Sequence, residues 1–482
     1  MVCSRRSFMA SLAATGTAAA FGMPAPKAKH PNVLFIYTDD QTFDSIHALG
    51  NSEIKTPNLD RLVRRGTAML NCYNPGGWHG AICTASRHML NTGRFLWQAS
   101  KLEHKPNAID KTPLWGRLWQ KAGYETYMTG KWHVSIDPKA CFNTVRNIRP
   151  GMPQSCEAAY NRPHEGQTDL WQPWDKKRGG HWASPNGKHW TAITADDTID
   201  YINSCPKDKP FFIYAAFNAP HDPRQSPKKY IDMYPLDKIR VPKNYLPEYP
   251  DMPGMGVPKN LRDERLAPYP RSEFAIKTHR AEYYALITYL DAHLGRIFDA
   301  LEKSGRADNT LIALVGDNGL SVGQHGFLGK QNAFEHAFKV PLIFAGPGVP
   351  KNQVRDGLVY VQDLRPTLLK LAGIPESPEA TAFRSFDRLF APGSNRNTPA
   401  REHIYGAYMR RQRFIRVGNM KLIWYGSSGK KPGRWLLFDL SKDPLEMNNL
   451  SADPRYKQTV DNLRTQLLAN MKRVGDPVKH LN

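Results

Sequence analysis

The sequence lacks any apolar run long enough to span a membrane. An Ala-rich stretch near its start, Ala10 to Gly22, is too short and its side chains are too small for a bilayer-crossing helix. Internal repeats and low-complexity linkers are also missing. Together with the overall polarity of the chain, these absences exclude an integral membrane protein and favour one large globular enzyme.

Cysteine is scarce, with six residues in 482. The chain is 40% hydrophobic, so it has enough apolar side chains for a sizeable core and needs no disulfides to hold that core together. Cys141 and Cys156 are the closest candidates for a pair, and the sequence leaves their pairing open. Two common catalytic motifs, G-x-x-x-x-G-K-[ST] and H-E-x-x-H, are absent, which argues against a P-loop kinase and a zinc peptidase.

Acidic residues are outnumbered: 44 Asp and Glu face 66 Lys and Arg, for a net charge of +22. A basic face has three interpretations, namely solubility, steering of a polyanionic substrate, and nucleic-acid binding. The sequence contains no nucleic-acid-binding motif, so we expect no nucleic-acid partner. A polyanionic substrate remains the functional interpretation of the charge.

One short segment carries the most information about function. Residues 83–93 read Cys83-Thr84-Ala85-Ser86-Arg87-His88-Met89-Leu90-Asn91-Thr92-Gly93. A buried structural cysteine near a surface arginine would explain Cys83 and Arg87 alone. It does not explain the ordered spacing of the Ser-Arg pair and the closing Thr-Gly.

Two apolar segments, about 270 residues apart, end in acids and an amide. The first runs from Asn32 to Asp39 and Asp40, and the second from Leu311 to Asp317 and Asn318. Both are typical of buried strands, and ligands in α/β sheets gather outside the carboxyl ends of strands. Three carboxylates and one amide carbonyl predict an oxygen-rich site for calcium, with magnesium as the alternative, and not for zinc.

Three further segments supply basic side chains behind predicted strand or loop ends. They contain Lys131 and His133 in Thr129–His133, His221 after the apolar run Pro210–Ala216, and Lys330 at the end of Gly326–Lys330. Preorganised cations in a water-poor pocket stabilise developing anionic charge. His325 lies near Lys330 in sequence, but no required role maps onto it.

Together these segments resemble the type I, formylglycine-dependent sulfatases of the alkaline-phosphatase-like superfamily. Residues 83–93 fit that family's C-x-(P/A)-S-R-x-x-x-x-T-G signature, and Gly130–His133 fits its G-K-W-H segment. The resemblance implies that Cys83 is oxidised to formylglycine (3-oxoalanine) and, with the four strand-end residues, binds the metal ion. It further implies that Arg87 supports this nucleophile.

The resemblance also assigns roles on the substrate side. Lys131, His221 and Lys330 would bind the sulfate group, and His221 would protonate the leaving alcohol. Asp317 would take the proton of the attacking hydroxyl, and His133 the proton released when sulfate departs. The implied activity is hydrolysis of sulfate esters, with a sulfated polysaccharide or oligosaccharide as the substrate that fits the charge.

The amino terminus predicts export. Ser4-Arg5-Arg6-Ser7-Phe8-Met9 resembles a twin-arginine signature, and residues 1–28 read as the signal, with cleavage between Ala20 and Ala28. We therefore expect a periplasmic or secreted protein and the twin-arginine export machinery as a partner. Because that machinery carries folded proteins, Cys83 should be oxidised in the cytoplasm. Ala85, where many sulfatases have proline, favours a radical-type maturase.

The pattern of elements predicts the fold class. Residues 30–375 alternate buried strands with helical segments, including an amphipathic helix over Glu282–Lys303, which is typical of an α/β domain with a large mixed sheet. Residues 376–482 read as a smaller α+β subdomain with an antiparallel sheet and a closing helix, Tyr456–Val474. Two irregular stretches, Arg146–His189 and Asp222–Lys277, should shape the substrate pocket.

Some questions stay open at this level. The fold would equally suit an aryl or choline sulfatase, a phosphonate monoester hydrolase, or a catalytically inactive glycan-binding relative. Tryptophans in the first irregular stretch could stack on sugars or belong to the core; they are Trp171, Trp174, Trp182 and Trp190.

Overall fold

The computed structural model describes residues 30–103, 114–151, 156–380, 382–426 and 432–481. The predicted signal, residues 1–28, lies outside this described part. The structure contains thirteen strands within these residues: β1 (Asn32–Thr38), β2 (Gly66–Tyr73), β3 (Gly76–Gly77), β4 (Glu125–Lys131), β5 (Thr144–Arg149), β6 (Phe211–Ala216), β7 (Thr310–Gly316), β8 (Lys339–Ala345), β9 (Gln353–Tyr360), β10 (His403–Tyr408), β11 (Gln412–Val417), β12 (Met420–Tyr425) and β13 (Arg434–Asp439).

Helices surround these strands, and α8 is the longest of those described. The helices are α1 (Pro57–Arg65), α2 (Ile82–Thr92), α3 (Leu96–Glu103), α4 (Trp115–Lys121), α5 (Trp190–Ser204), α6 (Lys228–Ile231), α7 (Met252–Met255), α8 (Glu273–Lys303), α9 (Glu335–Phe338), α10 (Leu364–Leu371) and α11 (Lys457–Val474).

Eight strands form one large mixed sheet in the order β5-β4-β6-β1-β7-β8-β2-β9. The pairs along the sheet are parallel except that β8 runs antiparallel to both β7 and β2. All seven residues of β1 and of β7 are buried, because helices cover both faces of the sheet. The predicted α/β class with a large mixed sheet is confirmed.

The two faces of the central strands pack against different helices. Leu34 and Ile36 of β1 share a core with α1, α5 and α8. Val33, Phe35 and Tyr37 point to the opposite face and share a core with residues of α2, α4 and α10. The alternation of side chains along a strand thus divides one apolar run between two helical layers.

A second sheet of five strands has the order β13-β12-β11-β10-β3. Its last four strands in the chain are antiparallel, whereas β3 pairs in parallel with β10 through Gly76 and Gly77. Phe414 and Leu437 of this sheet share a core with Ile82 and Met89 of α2. The predicted antiparallel sheet is present, and the boundary at residue 375 stays a prediction.

Local details differ from the sequence-based expectations. Helix α8 begins at Glu273, nine residues before the predicted start, because Ser272 caps it by accepting a hydrogen bond from the Ala275 amide (3.2 Å). The first irregular stretch begins inside β5, whose residues are only partly buried at the sheet edge. The closing helix α11 lies within one residue of its predicted range.

Neither a membrane-crossing helix nor a disulfide is found among the residues that the structure describes. No described helix is both long and apolar enough to cross a bilayer. The described cysteines are all buried. Cys156 donates a hydrogen bond to the Arg178 carbonyl (2.7 Å).

Candidate active site

The ends of β1 and β7 bring the predicted acids together. These strands are parallel neighbours with Thr38 opposite Gly316, so the residues that follow each strand lie side by side. The Asp40 amide donates to Asp317 Oδ1 (3.2 Å), and Asn318 Nδ2 donates to Asp40 Oδ1 (2.7 Å). Asp39, Asp40, Asp317 and Asn318 are all fully buried.

Several oxygens in this cluster have no hydrogen-bond partner. They are Asp39 Oδ1, Asp40 Oδ2 and Asn318 Oδ1. Ligand atoms of Asp39, Cys83 and Asp317 lie within 4.8 Å of one another, as do those of Asp39, Asp40 and His221. Buried oxygens without partners are costly unless something binds them. The donor set therefore fits a hard divalent cation such as calcium.

Cys83 lies in the first turn of α2, facing this cluster. Its Sγ is 3.4 Å from His133 Nδ1, and Thr84 Oγ1 is 2.9 Å from His133 Nε2. Burial raises the pKa of the Cys83 thiol, although the charges of Lys131 and Lys330 oppose that shift. The unmodified thiol is thus protonated at neutral pH and is not the activated thiolate of a cysteine enzyme.

Arg87 lies one turn further along α2 and is fully buried. Its Nε donates to Asp317 Oδ2 (2.9 Å), and its Nη1 donates to the Lys131 carbonyl (2.6 Å). The guanidinium also stacks on the Tyr37 ring at 4.6 Å. Burial and the neighbouring charge of Asp39 raise the pKa of Asp317 to about 7, despite the Arg87 pair.

Two buried lysines each pair with one acid of the cluster. Lys131 Nζ donates to Asp39 Oδ2 (2.5 Å), and Lys330 Nζ donates to Asp40 Oδ1 (2.5 Å). Burial alone would raise the pKa of Asp39, but Lys131 outweighs it and holds that pKa well below its usual range. Burial, with Lys131 and Arg87 alongside, lowers the pKa of His133 to about 2, so this ring is neutral.

His221 follows β6 and approaches the cluster from the other side. Its Nε2 is 3.4 Å from Asp40 Oδ2, and its Nδ1 donates to the Asp222 carbonyl (2.7 Å). The structure thus brings together all ten predicted site residues, from four different strand ends, helix α2 and the loop before α9. Their catalytic and ligand roles stay predictions.

Sequence analysis missed the residues that surround His221. Asp222 and Arg262 form an ion pair beside the ring, with Arg262 Nη2 3.5 Å from His221 Nε2. Asp222 directly follows His221 in the sequence, so its proximity to the ring could have been predicted. Arg262 lies in the second irregular stretch, forty positions beyond Asp222. No sequence pattern around Arg262 predicts its contact with Asp222.

Of the predicted site residues, His133 borders a surface cleft. A cleft reaches this ring and is lined by His79, Thr84, Trp132 and Ile148 among others. Trp171 and Trp182 of the first irregular stretch are buried, which supports the core interpretation for those two. Trp174 and Trp190 are half-buried and lie under Lys228 and Arg149, respectively.

Two residues near Lys330 in sequence lie outside the cluster of ten predicted site residues. His325 stacks on Phe334 (4.2 Å) and its Nε2 pairs with the Leu445 carbonyl (3.0 Å), which is a structural role. Ser321 sits in Gly319–Gly323, which fits the G-x-S-x-G pattern of serine hydrolases. Its Oγ accepts a hydrogen bond from Asn332. A nucleophile elbow requires a helix directly after the serine, and the next helix here begins only at Glu335.

The large mixed sheet flanked by helices, together with the five-stranded second sheet, is an alkaline-phosphatase-like fold. A family model described as Sulfatase matches residues 31–374, and one described as N-sulphoglucosamine sulphohydrolase, C-terminal, matches residues 323–473. The chain belongs to the sulfatase family and is a sulfuric ester hydrolase.

Individual relatives and solved structures are similar over nearly the whole chain. An arylsulfatase of Clostridium perfringens is 28% identical, with 92% of this chain and 94% of the relative covered. A solved structure of a protein in complex with its substrate D-glucosamine-2-N,6-O-disulfate has a TM-score of 0.72 at 22% identity, covering 93% of this chain and 99% of that one. The phosphonate monoester hydrolase of Agrobacterium radiobacter has a TM-score of 0.70 at 20% identity, covering 92% and 96%. The predicted family and fold are confirmed.

Proposed function

We propose that this sulfatase removes sulfate from a sulfated polysaccharide or oligosaccharide, with formylglycine made from Cys83 as the nucleophile and calcium as the metal ion. The observation that carries the proposal is the set of unpartnered buried oxygens of Asp39, Asp40 and Asn318 beside Cys83. A divalent cation would satisfy these oxygens, and Asp317 would complete the set of protein ligands. Magnesium is the alternative ion.

Formylglycine would supply a hydrated aldehyde whose hydroxyl attacks sulfur and whose second hydroxyl allows sulfate to be expelled. The protonated state of the Cys83 thiol supports the need for such a modification. Arg87 would orient this group from α2, and Asp317 would accept the proton of the attacking hydroxyl.

The remaining residues would act on the sulfate and on the leaving group. Lys131 and Lys330 provide two buried positive charges for the non-bridging sulfate oxygens. His221 would donate a proton to the departing alcohol, which matters most for a weakly acidic sugar hydroxyl. His133 Nδ1 is 3.4 Å from Cys83 Sγ, which places it to take the proton that is released as sulfate leaves.

The substrate class is supported by charge and by likeness. A net charge of +22 would attract a polyanionic glycan. The solved structure with D-glucosamine-2-N,6-O-disulfate has the same fold. The phosphonate monoester hydrolase of similar fold keeps that activity as the second candidate. Family membership and the complete residue set favour an enzyme over an inactive glycan-binding relative.

Maturation and export form part of the proposal. A radical-type maturase would oxidise Cys83 in the cytoplasm before folding, and the twin-arginine machinery would carry the folded enzyme to the periplasm or medium. Ala85 and the segment Ser4–Met9 support these partners.

Peptide mass spectrometry across Cys83 tests the nucleophile. The enzyme is expressed with a radical-type maturase, with an oxygen-dependent one, and with neither. We expect conversion with the radical-type maturase, and loss of all turnover in Cys83→Ala but not in Cys205→Ala, another buried cysteine. A persistent thiol together with full sulfatase activity would refute the formylglycine assignment.

A substrate panel tests the reaction and the metal. The panel contains sulfated oligosaccharides, 4-nitrophenyl sulfate and a phenyl phosphonate monoester, assayed before and after chelation and after addition of calcium or magnesium. We expect sulfated sugars to give the highest kcat/KM and calcium to restore activity. A higher kcat/KM for the phosphonate would establish the second candidate instead.

A further inference from the structure

Asp222, Arg262 and Tyr160 form a hydrogen-bonded cluster beside His221, which we call the brace. Arg262 donates to both carboxylate oxygens of Asp222, from Nη1 to Oδ2 (2.8 Å) and from Nη2 to Oδ1 (3.0 Å). The Tyr160 hydroxyl also donates to Asp222 Oδ2 (2.9 Å). Charge-assisted bidentate contacts of this kind fix orientation as well as adding binding energy. Asp222 is therefore held from two directions by residues of both irregular stretches.

The brace determines which nitrogen of His221 faces the site. Nδ1 is 2.7 Å from the Asp222 carbonyl oxygen and 3.3 Å from Asp222 Oδ1. Both atoms are acceptors, so Nδ1 keeps a hydrogen in either charge state of the ring. The proton given to the leaving alcohol is therefore a second one, on Nε2, which faces Asp40 Oδ2 (3.4 Å) and Arg262 Nη2 (3.5 Å). The position of the Asp222 backbone depends in turn on the anchored carboxylate.

The same guanidinium connects to Lys330. Arg262 Nη2 donates to Asp263 Oδ1 (2.5 Å), and Asp263 Oδ2 accepts from Gln331 Nε2 (2.8 Å). Gln331 Oε1 accepts from the Lys330 amide (3.0 Å). One arginine thus links the backbone beside His221, the proposed proton donor, to the backbone of Lys330, a proposed sulfate ligand.

Charge balance argues against a different role for Arg262. Its side chain is about one quarter exposed, which would suit an arginine that binds an anionic group of the substrate. It already faces two buried carboxylates, Asp222 and Asp263, with side chains 4% and 5% exposed. These two carboxylates outnumber the single guanidinium charge and already accept from its Nη1 and Nη2, so Arg262 is engaged within the protein and not with a second anionic group of the substrate.

We infer that Arg262, through Asp222 and through Asp263, is a positioning residue that orients His221 for proton donation to the leaving alcohol and holds Lys330 beside it. This inference rests on the proposed function of His221. It predicts that loss of Arg262 increases the dependence of rate on the leaving group by more than it raises KM.

The kinetic test compares Arg262→Gln with Arg265→Gln. Arg265 lies in the same short segment, forms an exposed pair with Glu157 (3.1 Å) and lies over the Tyr160 ring (5.6 Å), so it controls for loss of an arginine there and of a contact to Tyr160. Substituted phenyl sulfates, from 4-nitrophenyl to 4-methoxyphenyl, serve as substrates. His221→Ala gives the full effect of a lost proton donor, about 10²–10⁴ in rate.

We expect Arg262→Gln to lower kcat/KM for 4-methoxyphenyl sulfate about tenfold more than for 4-nitrophenyl sulfate, and Arg265→Gln to leave their ratio unchanged. An equal loss on all substrates would mean a merely structural role. A rise in KM with unchanged kcat would mean that Arg262 binds the substrate. Either result overturns the inference.

A second readout does not depend on turnover. Nitrogen-15 NMR of histidine-labelled enzyme, with His221 assigned by its loss in His221→Gln, reports which ring nitrogen carries the hydrogen. We expect Nδ1 to carry a hydrogen in the wild type, alone in the neutral ring and together with Nε2 in the protonated donor form. In Arg262→Gln we expect a mixture that includes the neutral Nε2–H tautomer. Asp222→Asn, which keeps a carbonyl for Arg262, should shift the ring less. An unchanged ring in Arg262→Gln overturns the inference, whereas an inactive wild type with the expected spectra would overturn only the proposed function.

Discussion

At the scale of single residues, the pair of Arg87 and Asp317 serves both stability and chemistry. Both side chains are fully buried, with Arg87 Nη2 2.9 Å from Asp317 Oδ2. Removing two charges from water costs several kcal/mol per ion, and only the partner compensates for this. Each residue therefore requires the other, whatever its role in turnover.

Asp317→Ala and Asp317→Asn should separate these two contributions. Both variants should lose turnover, because the carboxylate is the proposed base and ligand. Asp317→Ala should also cost about 3–5 kcal/mol of unfolding free energy, since Arg87 stays buried and loses its carboxylate partner. Asp317→Asn keeps an acceptor and should cost less. Urea unfolding measured beside sulfatase activity checks this, and equal stability of the two variants would contradict it.

At the scale of elements, strand β3 joins the two sheets. It consists only of Gly76 and Gly77, which pair with Ala407 and Tyr408 of β10, and it leads directly into α2 with Cys83. Gly76 has φ +105°, and a Cβ there would lie 1.9 Å from the Ala407 carbonyl oxygen. Only glycine allows the two backbones to approach this closely.

Gly76→Ala should therefore be far more damaging than Gly123→Ala. Gly123 also has a positive φ, +84°, but a Cβ there meets nothing within 4 Å. Its substitution should cost about 1–2 kcal/mol from backbone conformation alone. Gly76→Ala adds a backbone clash and should lower both the melting temperature and the activity much further. Similar melting temperatures for the two variants would show that β3 is not needed to join the sheets.

At the scale of the whole molecule, a buried ionic cluster lies between the second sheet and α9. Lys421 of β12 pairs with Glu335 of α9 (2.9 Å) and with Glu446 (2.8 Å), and Arg416 of β11 reaches Glu335 (3.2 Å). Burial raises the pKa of Glu446 to about 7, although Lys421 opposes the shift. This carboxyl thus titrates near neutral pH within the contact.

The cluster should make stability depend on pH. Because the folded-state pKa of Glu446 is raised, its stabilising contribution is present at low pH and is lost as pH rises through about 7. Between pH 6 and pH 8 the wild type should lose about 1 kcal/mol relative to Glu446→Gln, which cannot ionise. Urea unfolding of both proteins at the two pH values measures this difference. A difference that does not change with pH would refute the assignment.

The net charge gives a second prediction at this scale. If the +22 charge steers a polyanionic substrate, kcat/KM should fall steeply with ionic strength for a sulfated oligosaccharide. The fall should be much shallower for 4-nitrophenyl sulfate, which carries a single charge. Stopped assays from about 20 to 300 mM salt compare the two substrates. Parallel salt dependence would show that steering does not favour the polyanion.

The sequence by itself determined the strand-end cluster and the family. Apolar runs ending in Asp39-Asp40 and Asp317-Asn318 are local patterns, and parallel strands in an α/β sheet share one functional edge. The ordered spacing from Cys83 to Gly93 is equally local. Such features can be recognised in the sequence because they are formed by residues that are close together in the chain.

Only the tertiary structure decided how the site is supported and reached. Arg262 meets Asp222 forty positions away through the packing of two irregular stretches, which have no periodicity to interpret. Gly76 and Gly77 form a strand only because β10 lies beside them. Burial of Trp171 and Trp182, and the shifted pKa of Glu446, likewise depend on neighbours from distant segments. Contacts of this kind arise from the shape of the whole molecule, and no local pattern encodes them.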